Sequence, residues 1–138
     1  MEEDEELKRI KQKKLEQLMK KAVEPESMKK PALKKPIEVS DATFKEVIQN
    51  HPLVVVDCWA PWCGPCFMVA PVVEEMARDY AGEILFGKLN VDENRGVAMQ
   101  YQIMSIPTLL VFKDGKLLDR IVGAMPRQML EPKITRYL

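Results

Sequence analysis

Trp59-Ala60-Pro61-Trp62-Cys63-Gly64-Pro65-Cys66 follows the apolar run Leu53-Val54-Val55-Val56-Asp57-Cys58. It leads into a stripe at helical spacing made of Cys66, Val69, Ala70, Val73, Met76, Ala77 and Tyr80. A run that is apolar on both faces reads as a buried parallel strand. A stripe repeating every three to four residues reads as a helix packed on it. The two cysteines therefore sit at a strand-to-helix junction, with Cys63 at or just before the helix start.

The spacing carries chemistry. Two intervening residues let the sulfurs approach bonding distance within one tight turn. Gly64 and Pro65 shape that turn, and Pro65 suits a first helical turn because it has no amide hydrogen to leave unpaired. The free amides at a helix start carry partial positive charge. They favour thiolate at Cys63, and thiolate is the attacking species in disulfide exchange. Cys66 lies further inside the helix and is expected to be less exposed. Cys63 is thus the expected nucleophile and Cys66 the resolving thiol, which releases the reduced substrate from a mixed disulfide. The competing use of such a pair is a zinc site, which needs about four ligands when closed. The chain has three cysteines and one histidine, with no second CxxC. Cys58 falls in the predicted buried strand and His51 in the turn before it. No metal is expected.

The 138 residues suit one domain of ordinary size. The zero net charge is unevenly spread: residues 1–36 hold 11 basic and 8 acidic side chains, and residues 37–138 hold 10 and 13. Neither balance suggests a nucleic-acid binder. No run of about 18 apolar residues is present to span a membrane. Met1-Glu2-Glu3-Asp4-Glu5-Glu6 fits neither a secretory signal nor an acid-poor transit peptide. The expected location is the cytoplasm, where a CxxC is usually catalytic.

Two segments follow from the pattern. Residues 1–36 form a charged extension: a helix to about residue 22, with Leu7, Ile10, Leu15, Leu18 and Ala22 roughly on one face, then a linker with Pro25, Pro31 and Pro36 among lysines. Such a helix is marginal alone. It reads as a solvated helix, as a docking or self-association helix, or as a lysine-bearing contact for a membrane surface or RNA. Residues 37–138 form the second segment. It opens with a short strand, Ile37 to Val39, and a helix from Asp41 to about Gln49 capped by Ser40. The central strand 53–59, the long helix 64–80, a strand 84–91 and a short helix near 97–101 come next. Strands 108–113 and 116–122 flank Asp114-Gly115, a hairpin signal, and a last helix covers about 127–137. The order gives an α/β fold, a mixed five-stranded sheet with helices on both faces. Pro132 is expected to kink, break or shorten the last helix.

The segment from 37 to 138 resembles the thioredoxin family. The resemblance rests on Trp59-Ala60-x-Trp62-Cys63-Gly64-Pro65-Cys66, Ala70-Pro71, Lys88-Leu89-Asn90-Val91-Asp92, Ile106-Pro107-Thr108, Phe112-Lys113-x-Gly115 and Val122-Gly123-Ala124, in that order. It implies a protein disulfide reductase with no cofactor beyond the Cys63–Cys66 pair. It implies a thioredoxin reductase as electron donor and disulfide-bearing proteins as substrates; a monomer is expected, with no nucleic-acid or membrane partner. The alternatives are a disulfide oxidant or isomerase, or an adaptor that recruits a partner through its N-terminal helix. Gly64-Pro65 resembles the reducing branch.

Asp57 interrupts a strand that should be buried, so its carboxyl is expected to hold its proton more tightly than usual. The resemblance places Asp57 beneath Cys66 as a general base and Lys88 beside it; the competing reading is a structural salt bridge. The resemblance also makes Pro107 a cis-proline, leaving Ile106 free to pair with an extended substrate. It rings Cys63 with Trp62, Phe67, Met104, Ile106, Pro107, Val122, Gly123 and Ala124, residues that could otherwise be plain core. Phe67 stands where a basic residue is common in the family, and makes the rim more apolar. Cys58 reads as a small buried hydrophobe, with a regulatory thiol as the alternative.

Overall fold

The computed structural model describes residues 34–138; the helix expected over residues 1–22 and most of the linker lie outside them. Strand β1 (Ile37–Glu38) leads to helix α1 (Phe44–Gln49), β2 (Leu53–Trp59) and α2 (Gly64–Asp79). Strand β3 (Leu85–Asn90), helix α3 (Arg95–Gln100), the hairpin β4 (Thr108–Lys113) and β5 (Lys116–Val122), and α4 (Arg127–Thr135) follow. The sheet runs β1-β3-β2-β4-β5. β1, β3 and β2 are parallel, and β4 and β5 are antiparallel to their neighbours. This is the mixed five-stranded sheet expected.

Alternation along β2 divides the core. Leu53 and Val55 face α2 and α4, packing with Val69, Val73, Met76, Leu130 and Ile134. Val54, Val56 and Cys58 face the other way, packing with Phe44, Ile48, Leu89 and Val97 around α1 and α3. Burial on both faces explains why β2 reads as one apolar run. The hairpin turn places Asp114 and Gly115 at φ 51° and 82°, the left-handed pair that a two-residue turn requires.

Helix α1 begins at Phe44, three residues later than expected. Residues 41–43 form a turn instead, in which Ser40 Oγ accepts the Thr43 amide at 3.3 Å. Asp41 is drawn away to α3: its carboxylate accepts the Gly96 and Val97 amides at 3.0 and 2.8 Å. Its own N–H donates to Asn94 Oδ1 at 2.9 Å. That cap starts α3 at Arg95, earlier than the apolar pattern indicated. Helix α4 runs through Pro132 and stays short, at nine residues. Its first turn is held to α2 by Arg127, which meets Glu75 at 2.5 Å, Asp79 at 2.7 Å and Glu131 at 3.0 Å. The Arg127 hydrogen bonds, then that of the Tyr80 hydroxyl, hold the Glu131 carboxyl down at about 2.

Gly87 pairs with Ile37 and Val56. A Cβ there would stand 2.6 Å from Val39 Cγ2, inside contact distance of a core side chain. Gly87→Ala is therefore expected to push β1 off the sheet and destabilise the fold by about 1–3 kcal/mol, measured by urea denaturation.

Candidate active site

Cys63 caps α2 from an extended backbone (φ −92°, ψ 103°), and its Sγ accepts the Cys66 amide at 3.2 Å. Pro65 lies in the first helical turn, where its missing amide hydrogen costs nothing. Cys63 and Cys66 are joined by a disulfide, with Cα atoms 5.3 Å apart. The expected contrast in burial is small in this oxidised state: Cys63 is 4 % exposed and Cys66 2 %. The bond and the amide contact fold the Cys63 sulfur back onto the helix start, so it is covered nearly as well as its partner.

Asp57 lies on the sheet face that carries α2, and is buried with no hydrogen-bond partner on either carboxylate oxygen. Burial pushes its pKa up to about 6, against the lowering pull of the Lys88 charge. Lys88 is its register partner on β3, yet the two do not form the structural ion pair weighed as an alternative. The Lys88 ammonium instead stands 4.9 Å from the centroid of the Trp59 ring. Phe67 meets that ring edge-on at 6.4 Å. Behind Asp57, Cys58 is a free thiol on the opposite face, fully buried. Its thiol is pushed up by burial and then by the Asp57 charge, so it behaves as the inert hydrophobe expected rather than as a reactive group.

Sheet register assembles the rim. Cys58 pairs with Thr108, and Thr108 pairs with Val122. The turn after β2, the loop before β4 and the loop after β5 therefore meet at one end of the sheet. Trp62, Phe67, Met104 and Val122 are exposed there, Met104 at 93 %, and are not core side chains. Ile106 is half-buried and Pro107 buried, with the Ile106–Pro107 bond cis. The Gly123 amide donates to the Pro107 carbonyl at 2.9 Å. Gly123 adopts φ 98°, and no atom stands within 4 Å of where its Cβ would be, so the surface is open at that point. Ala124 is exposed beside it.

The thioredoxin family model matches residues 35–136. The chain belongs to the thioredoxin family. It is 54 % identical over 101 residues to "Thioredoxin 1" of Synechococcus elongatus, covering 72 % of this chain and 94 % of that one. It is 48 % identical over 108 residues to "Thioredoxin M-type, chloroplastic" of Spinacia oleracea, covering 78 % and 60 %. A solved mutant thioredoxin from Halobacterium salinarum superposes with TM-score 0.71 at 33 % identity, over 75 % of this chain and 91 % of that one.

As a thioredoxin, the protein is a thiol-disulfide oxidoreductase that reduces protein disulfides. The cysteine pair is its active group and it carries no cofactor, in keeping with the family. Among the described residues, no group of three or more His, Cys, Asp or Glu side chains is placed to hold a metal. No helix among them is long and apolar enough to cross a membrane. Disulfide-bearing proteins and a thioredoxin reductase are the partners the family implies.

Sequence reading missed one part of this thioredoxin site. The Trp62 indole N–H donates to Asp92 Oδ2 at 2.9 Å, and Asn90 Oδ1 accepts the Asp92 amide at 2.9 Å. Asp92 thereby orients the largest exposed ring of the rim. The only available signal was its place in the run Lys88-Leu89-Asn90-Val91-Asp92.

Proposed function

We propose that the protein reduces exposed protein disulfides with Cys63 as attacking thiolate, Cys66 as resolving thiol and Asp57 as the acceptor of the Cys66 proton. The observation that carries this reading is the helix-capping position of Cys63, whose sulfur already accepts the Cys66 amide. In the reduced protein the same amide favours a negative sulfur. The Cys63 thiolate attacks one sulfur of the substrate disulfide, and the other sulfur leaves as thiolate. Cys66 then gives its proton to Asp57 and attacks Cys63. The Cys63–Cys66 bond forms as the mixed disulfide breaks, and the second substrate sulfur departs. Two electrons have passed from the dithiol to the substrate. A carboxylate with a pKa near 6 is mostly ionised at neutral pH and basic enough to take a thiol proton.

The substrate lies on the rim formed by Trp62, Phe67, Met104, Ile106, Pro107, Val122, Gly123 and Ala124. An apolar patch of this kind favours extended or unfolded segments over any one sequence, and Met104 adds adaptable contact. A shallow groove lined by Asp92, Arg95, Met99 and Ile103 continues from Met104. The protein works as a cytoplasmic monomer that carries electrons from a reductase. Its catalytic unit begins at residue 37, and residues 1–36 are an extension to it.

Met104→Glu is the test of the rim. The variant is expected to lose roughly tenfold in kcat/KM on insulin through KM, and to keep its rate on a small aromatic disulfide. Equal losses on both substrates would remove Met104 from the docking surface. Equilibration against glutathione tests the reductase direction, since a reductase pair sits well below the potentials of oxidants and isomerases.

A further inference from the structure

Asp57 and Lys88 face each other across β2 and β3 on one sheet face, yet they are unpaired. A buried carboxylate without a partner is costly, and a lysine on the adjacent strand is its natural relief. The ammonium goes instead to the face of Trp59, 4.9 Å from the ring centroid, within cation–π range. Trp59 is the last residue of β2 and points to the same side as Asp57, two positions along the strand. Its ring is braced on the edge by Phe67.

We infer that Trp59 is a positioning residue: its ring, propped by Phe67, holds the Lys88 ammonium away from Asp57 and keeps that carboxylate unpaired. The inference rests on Asp57 serving as the proton acceptor for its importance to turnover, but not for its geometry. A proton acceptor locked in an ion pair would be a weak base. Trp59 keeps the lysine close enough to temper Asp57 without neutralising it. The other groups around Asp57 leave this to Lys88. β4 presents Leu109, and α2 and α4 pack Val69, Val73, Leu130 and Ile134 into the same face. Lys88 is the charged group among the described residues that acts on Asp57.

The test is the Asp57 titration, followed by carboxyl-carbon NMR in the oxidised full chain. Trp59→Leu removes the aromatic face and keeps apolar bulk. The freed ammonium reaches the carboxylate, and the proton affinity of Asp57 falls roughly tenfold. Trp59→Phe restores most of the original value. In a Lys88→Gln background, Trp59→Leu has no such effect. A titration unmoved in Trp59→Leu, or a fall that persists in full without Lys88, overturns the inference. Should Trp59→Leu fail to fold, Phe67→Leu decides: a smaller fall in the same direction supports the brace, and none overturns it. The pH profile of mixed-disulfide resolution separates this from the general-base reading. If the NMR titration moves and the profile does not follow, Asp57 is not the base, while the positioning by Trp59 stands.

Discussion

Cys66→Ser is expected to stop turnover while leaving attack intact. Cys63 keeps its place at the start of α2 and the amide of residue 66 still points at its sulfur, because that contact is made by backbone. The variant therefore attacks a substrate disulfide and cannot release it. Steady-state reduction of insulin should fall roughly a thousandfold or more, with the protein accumulating as a mixed disulfide visible by mass spectrometry. Cys63→Ser should lose turnover to the same extent and accumulate no adduct. An adduct on Cys63→Ser instead would reverse the assignment of the two thiols.

Asp57→Asn should move stability and catalysis in opposite directions. The folded-state pKa of about 6 lies above the ordinary value of 3.8. The folded protein therefore binds the proton more tightly than the unfolded chain. Below about pH 4 Asp57 is neutral in both states and costs nothing. As pH rises from about 4 to about 6 the unfolded chain releases this proton while the folded state still holds it, and stability falls. Above about 6 the folded state carries the buried charge and the loss is complete. The full penalty, about 3 kcal/mol by linkage, is present at pH 7. The asparagine side chain would carry no charge but would bury an amide, so a net gain of about 2 kcal/mol at pH 7 is expected, shrinking toward zero near pH 4. Urea denaturation at the two pH values measures it. Resolution of the mixed disulfide should slow roughly a hundredfold at neutral pH. The parent protein should slow as pH drops through 6, and the variant should lack that step.

What could be read beforehand divides by range. The strand 53–59, the hairpin and the capping place of Cys63 all follow from neighbours in the chain: burial on both faces, two turn residues, a proline in a first helical turn. Asp57 stood out for the same local reason, a charge inside an apolar run. Asp41 did not, because its carboxylate serves a helix more than fifty residues away, and nothing in its own surroundings points there. The same holds for Asp92 under Trp62 and for the Arg127 cluster, whose Glu75 and Asp79 come from another helix. The Lys88–Trp59 contact was hidden differently. Pairing by strand register favours an ion pair with Asp57, and only the position of the ring shows where the ammonium goes.

The long reach of Asp41 bears on the order in which the molecule is assembled. Helix α3 has six residues, far too few to persist alone in water. Its first amides are answered by a carboxylate from the start of the domain, so its birth waits for the ends of a long loop to close. The segment that leads to Met104 and Pro107 is therefore expected to order only after that loop has closed. The turn that carries the two cysteines joins an adjacent strand and helix, and its formation is expected to need no such closure.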